Sequence, residues 1–407
     1  MRVAMVSEHA SPLAVLGGAD AGGQNVHVAA LSVALAELGH EVRVYTRRDS
    51  WHLAELEPLC PGVDVVHVPV GPAGPLPKDE LLPFMPAFGR WLVRNWQEDS
   101  WVPDVVHAHF WMSGVAALWA RRALGVPTVQ TFHALGSVKK RYQGAADTSP
   151  ADRVAIETRV AGDADMVIAT CSDEVRELQL MGVDTGHVTV VPCGVDTEHF
   201  TPTGQPAPEP PRRQRFRLLS LGRMVERKGV ATVIEALTRV HDAELVVAGG
   251  PPAAELDSDS EARRLLQHAQ RHGVADRVNL IGQVAHDDAP ALIRSADVVV
   301  ATPWYEPFGI VPLEAMACGR PLVGSAVGGL LDSVMDGETG VLVPPRDPQA
   351  TAEAINALLA DPGRRRRIGR AARARAVRSY EWSRVAEATA QAYDTVAAAT
   401  RVTAEAL

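Results

Sequence analysis

The chain has 407 residues, 46% of them hydrophobic, and a formal charge of −9 at pH 7, so it is too long for one core, suits two domains, and is too acidic for a dedicated nucleic-acid binder. Four cysteines, Cys60, Cys171, Cys193 and Cys318, show no CxxC spacing and read as reduced and mostly buried. The first strand opens at Arg2 without a separate signal segment and no apolar run approaches the ~18 residues of a membrane span, which predicts a cytoplasmic protein.

In chain order, the strand Arg2 to Ser7 is followed not by a tight GxGxxG turn but by a long loop, Glu8 to Ala21, that reaches Gly22-Gly23-Gln24-Asn25 and a helix through Val28 to Leu38. The dinucleotide fingerprint is therefore absent. A Gly-Gly pair at a helix start lets backbone approach a ligand closely, or it is a turn chosen for its φ angle; both readings stand. Strands are predicted at Val42–Tyr45, Val63–Val68, Val105–His107, Thr128–Thr131, Met166–Ala169 and Val188–Val191, separated by Ala- and Leu-rich segments. Such alternation signals a parallel sheet wrapped by helices. His107-Ala-His109 invites a zinc reading, but a strand-borne pair without a third ligand is weak, and these histidines fit better as lining or support for the acceptor side of a cleft.

The segment Thr201 to Arg215, TPTGQPAPEPPRRQR, is Pro-rich without apolar period and reads as a linker. The pattern restarts with strands at Phe216–Leu221, Glu244–Ala248, Val278–Ile281, Val298–Ala301 and Pro321–Val323. The predicted organisation is a Rossmann-like domain over 1–203, a linker over 204–215, a second Rossmann-like domain over 216–380 and a C-terminal helix over 381–407. Two such α/β domains facing one another across a hinge would place a ligand cleft at their interface.

After the strand Phe216–Leu221 come Gly222-Arg223 and Lys228-Gly229. An Arg fork and a Lys point charge at a strand end suit a diphosphate, though two basic residues in a surface loop are common. Asp163-Ala-Asp165 and Asp257-Ser-Asp259 resemble metal-binding pairs but read better as structural, the second as helix caps. The segment Glu306-Pro-Phe-Gly-Ile-Val-Pro-Leu-Glu314 places two carboxylates around a helix start. The N–H groups of residues 308 to 311 would face the strand-end crevice, where a phosphate gains hydrogen bonds and about 0.3–2 kcal/mol from the helix dipole. One cap carboxylate and one solvated Glu is the competing reading. Arg364 to Arg367 with Arg370, Arg373, Arg375 and Arg378 form a basic helix stripe, more simply a solvated face than a membrane contact.

In combination, GGADAGGQNVHV, VVHAHFWMSG, TFHALGSVKKRYQG, VPCGVDTEHF, GRMVERKG and EPFGIVPLEAMACGRPLVGSAVGG resemble, over nearly the whole chain, the retaining GT-B glycosyltransferases of family GT4, in the branch of the sucrose-phosphate synthases and the mycothiol-pathway N-acetylglucosaminyltransferase. The resemblance implies that Glu306 meets the donor-sugar hydroxyls, that the N–H groups of Phe308, Gly309 and Ile310 hold sugar and phosphate, and that Glu314 grips the ribose. Arg223 and Lys228 would neutralise the diphosphate, Gly22 and Gly23 would close over the phosphates, and His133 would lie by the sugar 6-hydroxyl. The catalytic set is then His133, Arg223, Lys228 and Glu306, with front-face attack, no metal and no cofactor beyond a nucleotide-sugar co-substrate, UDP-sugar favoured. The partners it implies are that donor and a small acceptor, without nucleic acid or membrane; a homodimer stays open, and the final helix crosses back to the first domain.

On the acceptor side the resemblance points to Asn25, Lys78, His109 and Phe110. Where the mycothiol branch offers a Tyr hydroxyl and a Thr to the acceptor phosphate, this chain has Phe110 and Ala134. Losing two hydrogen bonds worth ~1.5–3 kcal/mol each disfavours inositol phosphate. A sugar-nucleotide epimerase or hydrolase of the same fold, and a non-catalytic nucleotide-sugar binder, are the alternative readings.

Overall fold

A computed structural model describes residues 1–14 and 22–405, the side chains of 401–405 excepted. The end of the long loop and the first residues of the Gly-rich opening, 15–21, lie outside the described residues. The chain forms two compact units, Met1–Cys193 joined by the helix from Trp382, and Gly194–Glu381.

The first unit carries β1 (Arg2–Val6), α1 (Gly23–Glu37), β2 (Glu41–Arg47), β3 (Leu56–Cys60), β4 (Val63–Val68), α2 (Met85–Glu98), β5 (Val105–His109), α3 (Trp111–Leu124), β6 (Thr128–Thr131), α4 (Gly136–Gln143), α5 (Arg153–Asp163), β7 (Met166–Ala169), α6 (Ser172–Leu180) and β8 (Val188–Val190). The sheet order is β3-β4-β2-β1-β5-β6-β7-β8, parallel except for β3 against β4. β-branched runs such as Val3, Val42, Val44, Val105 and Val106 are almost fully buried, as strands covered on both faces require. Connections run from β1 outward one way and from β5 the other, so the strand order reverses between β1 and β5.

The second unit carries β9 (Phe216–Leu221), α7 (Val230–Leu237), β10 (Ala243–Ala248), α8 (Ser260–Arg271), β11 (Val278–Gly282), α9 (Ala289–Ser295), β12 (Val298–Ala301), α10 (Ile310–Ala317), β13 (Leu322–Ser325), α11 (Gly329–Ser333), β14 (Val341–Val343), α12 (Pro348–Ala360) and α13 (Pro362–Ser379). Its all-parallel order β11-β10-β9-β12-β13-β14 reverses between β9 and β12. Open α/β sheets bind ligands outside the carboxyl ends of the strands at such a reversal. The last helix, α14 (Trp382–Glu405), packs in the first unit along α1.

The unit boundary falls at Cys193/Gly194 rather than after 203, and the Pro-rich stretch is not a loose linker. Val195 N–H donates to Tyr380 O at 2.7 Å and Phe200 is buried in the second core. Farther on, Ala207 N–H donates to Ala291 O at 2.8 Å, and Arg212 bridges to Asp297 at 2.7 Å. The buried Arg217–Glu244 pair gathers the stretch in, Arg217 donating to Pro210 O and Glu244 accepting from Arg213 N–H. The basic stripe on α13 is also only partly a solvated face. Arg373 donates to Thr197, Phe200 and Ala317 carbonyls, Arg375 to those of Ser333 and Asp332, and Arg365 to those of Leu358 and Leu359, so these three are structural.

Candidate active site

In the second unit, the loops that leave β9 and β12 meet at the strand-order reversal. Gly222 to Gly229 follows β9, and Thr302 to Gly309 follows β12. Two contacts lock the loops together: Thr302 Oγ1 donates to Gly229 O at 2.9 Å, and Trp304 N–H donates to Arg227 O at 2.8 Å. The lock brings Lys228 Nζ into a short ion pair with Glu306 Oε2. Both side chains remain partly open, 24% for Lys228 and 12% for Glu306, so the pair can reach a ligand. Burial pushes the Glu306 carboxyl up, but the Lys228 ammonium, Arg227 and the Gly309 N–H outweigh it and hold the group below its usual range. Glu306 is therefore an anion at neutral pH.

Gly309 caps α10 with φ 74°, a left-handed conformation that favours glycine. Its N–H donates to the Glu306 carboxylate. Ile310 and Val311 open the helix at the site, where first-turn N–H groups have no carbonyl a turn behind them. Glu314 sits one turn further, half-buried, with burial pushing its carboxyl to about 7 against the opposing pull of Lys228. Arg223 lies exposed at the start of the β9 loop. The structure thus brings Lys228, Glu306, Phe308, Gly309 and Ile310 together, and sets Arg223 and Glu314 on the same two loop-helix junctions.

A carboxyl whose folded pKa lies above its unfolded value of 4.5 costs stability once pH exceeds that value, and the cost is complete above about 7. Glu314→Gln is therefore expected to stabilise the ligand-free protein at pH 8 by on the order of 1–2 kcal/mol, allowing for partial exposure, and to change nothing at pH 4. Paired thermal melts at the two pH values check this; an unchanged or lower Tm at pH 8 refutes it.

The first unit has its own cluster at the β1/β5 reversal. Gly22 caps α1 with φ −160°, extended backbone that any residue adopts, and an added Cβ would meet nothing within 4 Å. The chain's own conformation among the described residues does not demand a glycine there, so the turn-only reading of Gly22 loses its basis. Asn25, 4% exposed, accepts from Gly22 N–H at 3.1 Å and donates to Ser11 O at 2.9 Å, so it holds the glycine turn in place. Lys78 is half-buried in a short 3-10 turn, Lys78–Glu80.

His109 and His133 end up together, His109 Nδ1 lying 2.8 Å from His133 Nε2. The His107 ring lies tilted with its centroid 4.1 Å from that of His109, and the His27 centroid lies 5.1 Å from that of His133. Burial lowers all four, His27 to about 4 and His107 to about 3, and the rings depress one another further, so at neutral pH one neutral ring donates to the other. His107 Nδ1 also lies 2.7 Å from Tyr393 Oη on α14. His133 at φ 61° and Phe110 at φ 81° are non-glycine residues at positive φ, each just after a strand. Such strain concentrates where a side chain must be aimed. No zinc reading of His107 and His109 is needed, because both have partners in this cluster.

Several residues around the two clusters have roles that depend on partners distant in sequence. Gly328, at φ 49°, lies so near the Glu306 loop that a Cβ would sit 2.2 Å from Glu306 O, and Gly329 N–H donates to that oxygen at 2.9 Å. The closing Gly-Gly of EPFGIVPLEAMACGRPLVGSAVGG was the available signal. Arg153, 3% exposed, pairs with Glu157 at 2.7 Å, donates to Ala134 O at 2.7 Å and lies 5.1 Å above the Phe110 ring. An Arg and a Glu four apart on a helix look like a surface pair until Phe110, Trp111 and the turn before α4 close over them. The buried Glu8 carboxylate likewise accepts from Ser113 Oγ and contacts His9 Nδ1 at 2.8 Å. Asp165 serves Arg121 and Thr128 N–H, and Asp259 caps α8 through Ala262 N–H at 2.8 Å, so both Asp pairs have structural employment.

Two Rossmann-like parallel-sheet units, with an anion-compatible helix start and paired charges at the reversal of the second, define a glycosyltransferase of the GT-B class. Residues 205–375 match the family model for glycosyl transferases group 1, and 21–199 match that for Glycosyltransferase Family 4. The chain belongs to this GT4 family of glycosyltransferases. It is 39% identical to a D-inositol 3-phosphate glycosyltransferase of Xylanimonas cellulosilytica, across 96% of each chain. A D-inositol 3-phosphate glycosyltransferase of Acidothermus cellulolyticus is 38% identical, over 95% of this chain and 88% of that one. Among solved structures, a sucrose-phosphate synthase from Thermosynechococcus elongatus superposes with a TM-score of 0.88 at 30% identity, covering 98% of this chain and 99% of that one. No described helix is long and apolar enough to cross a membrane.

Proposed function

We propose that this glycosyltransferase moves a hexose or N-acetylhexosamine from a UDP-sugar to a small hydroxylated acceptor other than inositol phosphate, with retention and without a metal in the transfer step. The observation that carries the donor half is the Lys228–Glu306 pair held at the start of α10 by the interlocked β9 and β12 loops. In this reading Lys228 and Arg223 take the charge that builds on the departing diphosphate, which is where preorganised cations lower a glycosyl-transfer barrier. Glu306 and the N–H groups of Phe308, Gly309 and Ile310 orient the sugar and its phosphate, while Glu314 accepts the ribose hydroxyls. A donor phosphate oxygen takes the acceptor proton as the new bond forms on the face the leaving group vacates. Gly22 and Gly23 let backbone approach the donor in this reading, and His133, held by its strained backbone and its bond to His109, is assigned to the sugar 6-hydroxyl.

For the acceptor, the supporting observation is the surroundings of Arg153. Phe110 and Ala134 offer it no side-chain hydrogen-bonding group, and its guanidinium is engaged by Glu157 and the Ala134 carbonyl. A phosphate there would compete with a buried ion pair. Lys78 and the Asn25-held turn remain on the acceptor side in this reading. The second reading, transfer to an inositol phosphate, is favoured by the names of the relatives.

The test incubates the purified protein with UDP-, GDP- and ADP-sugars, with and without inositol phosphates and neutral polyols, in EDTA, following nucleoside diphosphate release and the anomeric configuration of the product. The proposal expects acceptor-dependent UDP release with retention in EDTA. Efficient turnover with an inositol phosphate establishes the second reading, and a loss of transfer in EDTA that added Mg2+ or Mn2+ restores removes the metal-free step.

A further inference from the structure

Apart from the residues assigned to transfer, the second unit assembles a different donor set where α7 and α8 pack. We propose that Glu235, His268 and His272 form a binding site for a divalent transition ion of the zinc type. Glu235 stands near the end of α7, and His268 and His272 are four residues apart at the end of α8, the spacing that stacks two imidazoles on one helix face. One ligand atom from each of the three lies within 4.8 Å of the others. Zinc bonded to nitrogen or oxygen at about 2.0–2.2 Å in a tetrahedron holds its ligands roughly 3.4 Å apart, so small rotations of the half-buried Glu235 and His268 and the exposed His272 close the site.

The local chemistry is already arranged for a cation. His268 Nε2 lies 2.9 Å from Glu235 Oε1, and the two imidazole centroids are 4.6 Å apart, a separation that a shared ion makes favourable. The guanidinium of Arg271 lies 3.4 Å from His268 Nδ1, but its side chain is exposed and can turn away. Two imidazoles and one carboxylate make a mixed N/O set with a position left for water, which suits zinc, copper or nickel, whereas magnesium and calcium need more oxygen ligands than the single Glu supplies. The bound ion would cross-link α7, whose first turn follows Lys228-Gly229, to α8. Because the site shares no residue with the transfer machinery, its ion is distinct from the metal-free step proposed above.

The test is calorimetric titration of the full chain, free of any histidine tag, with ZnCl2 and separately with MgCl2, followed by Co2+ absorption spectroscopy. Saturable uptake of one zinc ion per chain is expected, with no magnesium uptake, a Tm rise on zinc addition, and a four- or five-coordinate Co2+ spectrum lacking a sulfur-to-metal charge-transfer band. His272→Ala, at an exposed position where the fold is undisturbed, is expected to weaken zinc binding at least about tenfold, and Glu235→Gln to weaken it without changing the unliganded circular dichroism. Absence of saturable zinc uptake, wild-type affinity in His272→Ala, or a thiolate band in the cobalt spectrum each overturns the proposal.

Discussion

Lys228→Ala is expected to cut the rate of glycosyl transfer by about 10²–10³-fold, equivalent to about 2.7–4 kcal/mol of barrier, while the protein stays folded. The size follows from where the ammonium sits. It is held by Glu306 and by a loop locked to Thr302 and Trp304, so it needs no reorganisation when negative charge appears on a leaving diphosphate. Removing it also leaves Glu306 as a poorly solvated carboxylate without its main counter-charge, so the Glu306 pKa is expected to rise from its depressed value. Arg223→Ala is expected to fall in the same range, because an exposed Arg at the β9 strand end can follow the diphosphate with a planar fork. Single-turnover rates with a fixed donor, alongside thermal melts of each variant, provide the check. Near-normal transfer in either folded variant refutes its assignment.

Gly229→Ala is expected to lower stability by roughly 2–5 kcal/mol and to abolish most transfer. Gly229 is the left-handed cap of α7 at φ 71°, and a Cβ on it would lie 1.9 Å from the Thr302 carbonyl oxygen. Relieving that overlap must push the β9 and β12 loops apart, which breaks the Thr302–Gly229 hydrogen bond and withdraws Lys228 from Glu306. Gly273 is the matched control: it has φ 68° in the same unit but nothing within 4 Å of an added Cβ, so Gly273→Ala should cost only the conformational strain, about 1–2 kcal/mol. Chemical denaturation of both variants separates the two terms. Equal losses would show that the close approach to Thr302 is unimportant.

Most of the fold was legible because buried parallel strands leave a strong local record. The runs around Val63, Val105, Met166, Phe216 and Val298 all became strands, and the helix through Val28 to Leu38 became most of α1. Two strands were missed for physical reasons. β3 (Leu56–Cys60) carries Pro58 and is an antiparallel edge, where a missing N–H is tolerated, and β14 (Val341–Val343) is only three residues long. The Pro-rich stretch looked like a linker because its partners, Asp297, Ala291 and the Arg217–Glu244 pair, lie elsewhere in the chain. Burial and partner are properties of the folded chain, and a composition rule cannot see them.

For the site the division is similar. The types and order of the donor-side groups, from Gly222-Arg223 and Lys228-Gly229 to Glu306, Gly309 and Glu314, stand in the sequence, because each depends on a local strand-turn-helix junction. Local spacing also determined two α/β domains and the family resemblance. Only the tertiary structure decided that Lys228 pairs with Glu306 across 78 residues, that Gly328 and Gly329 support the Glu306 loop, and that His133 joins His27, His107 and His109 in a neutral cluster. It alone decided that Asn25 and Arg153 are occupied by the chain itself. The reason is that strand order, which sets what lies beside what, is fixed by crossover connections and burial on both sheet faces, whereas a residue's own neighbours in sequence set only its backbone and the direction in which its side chain leaves.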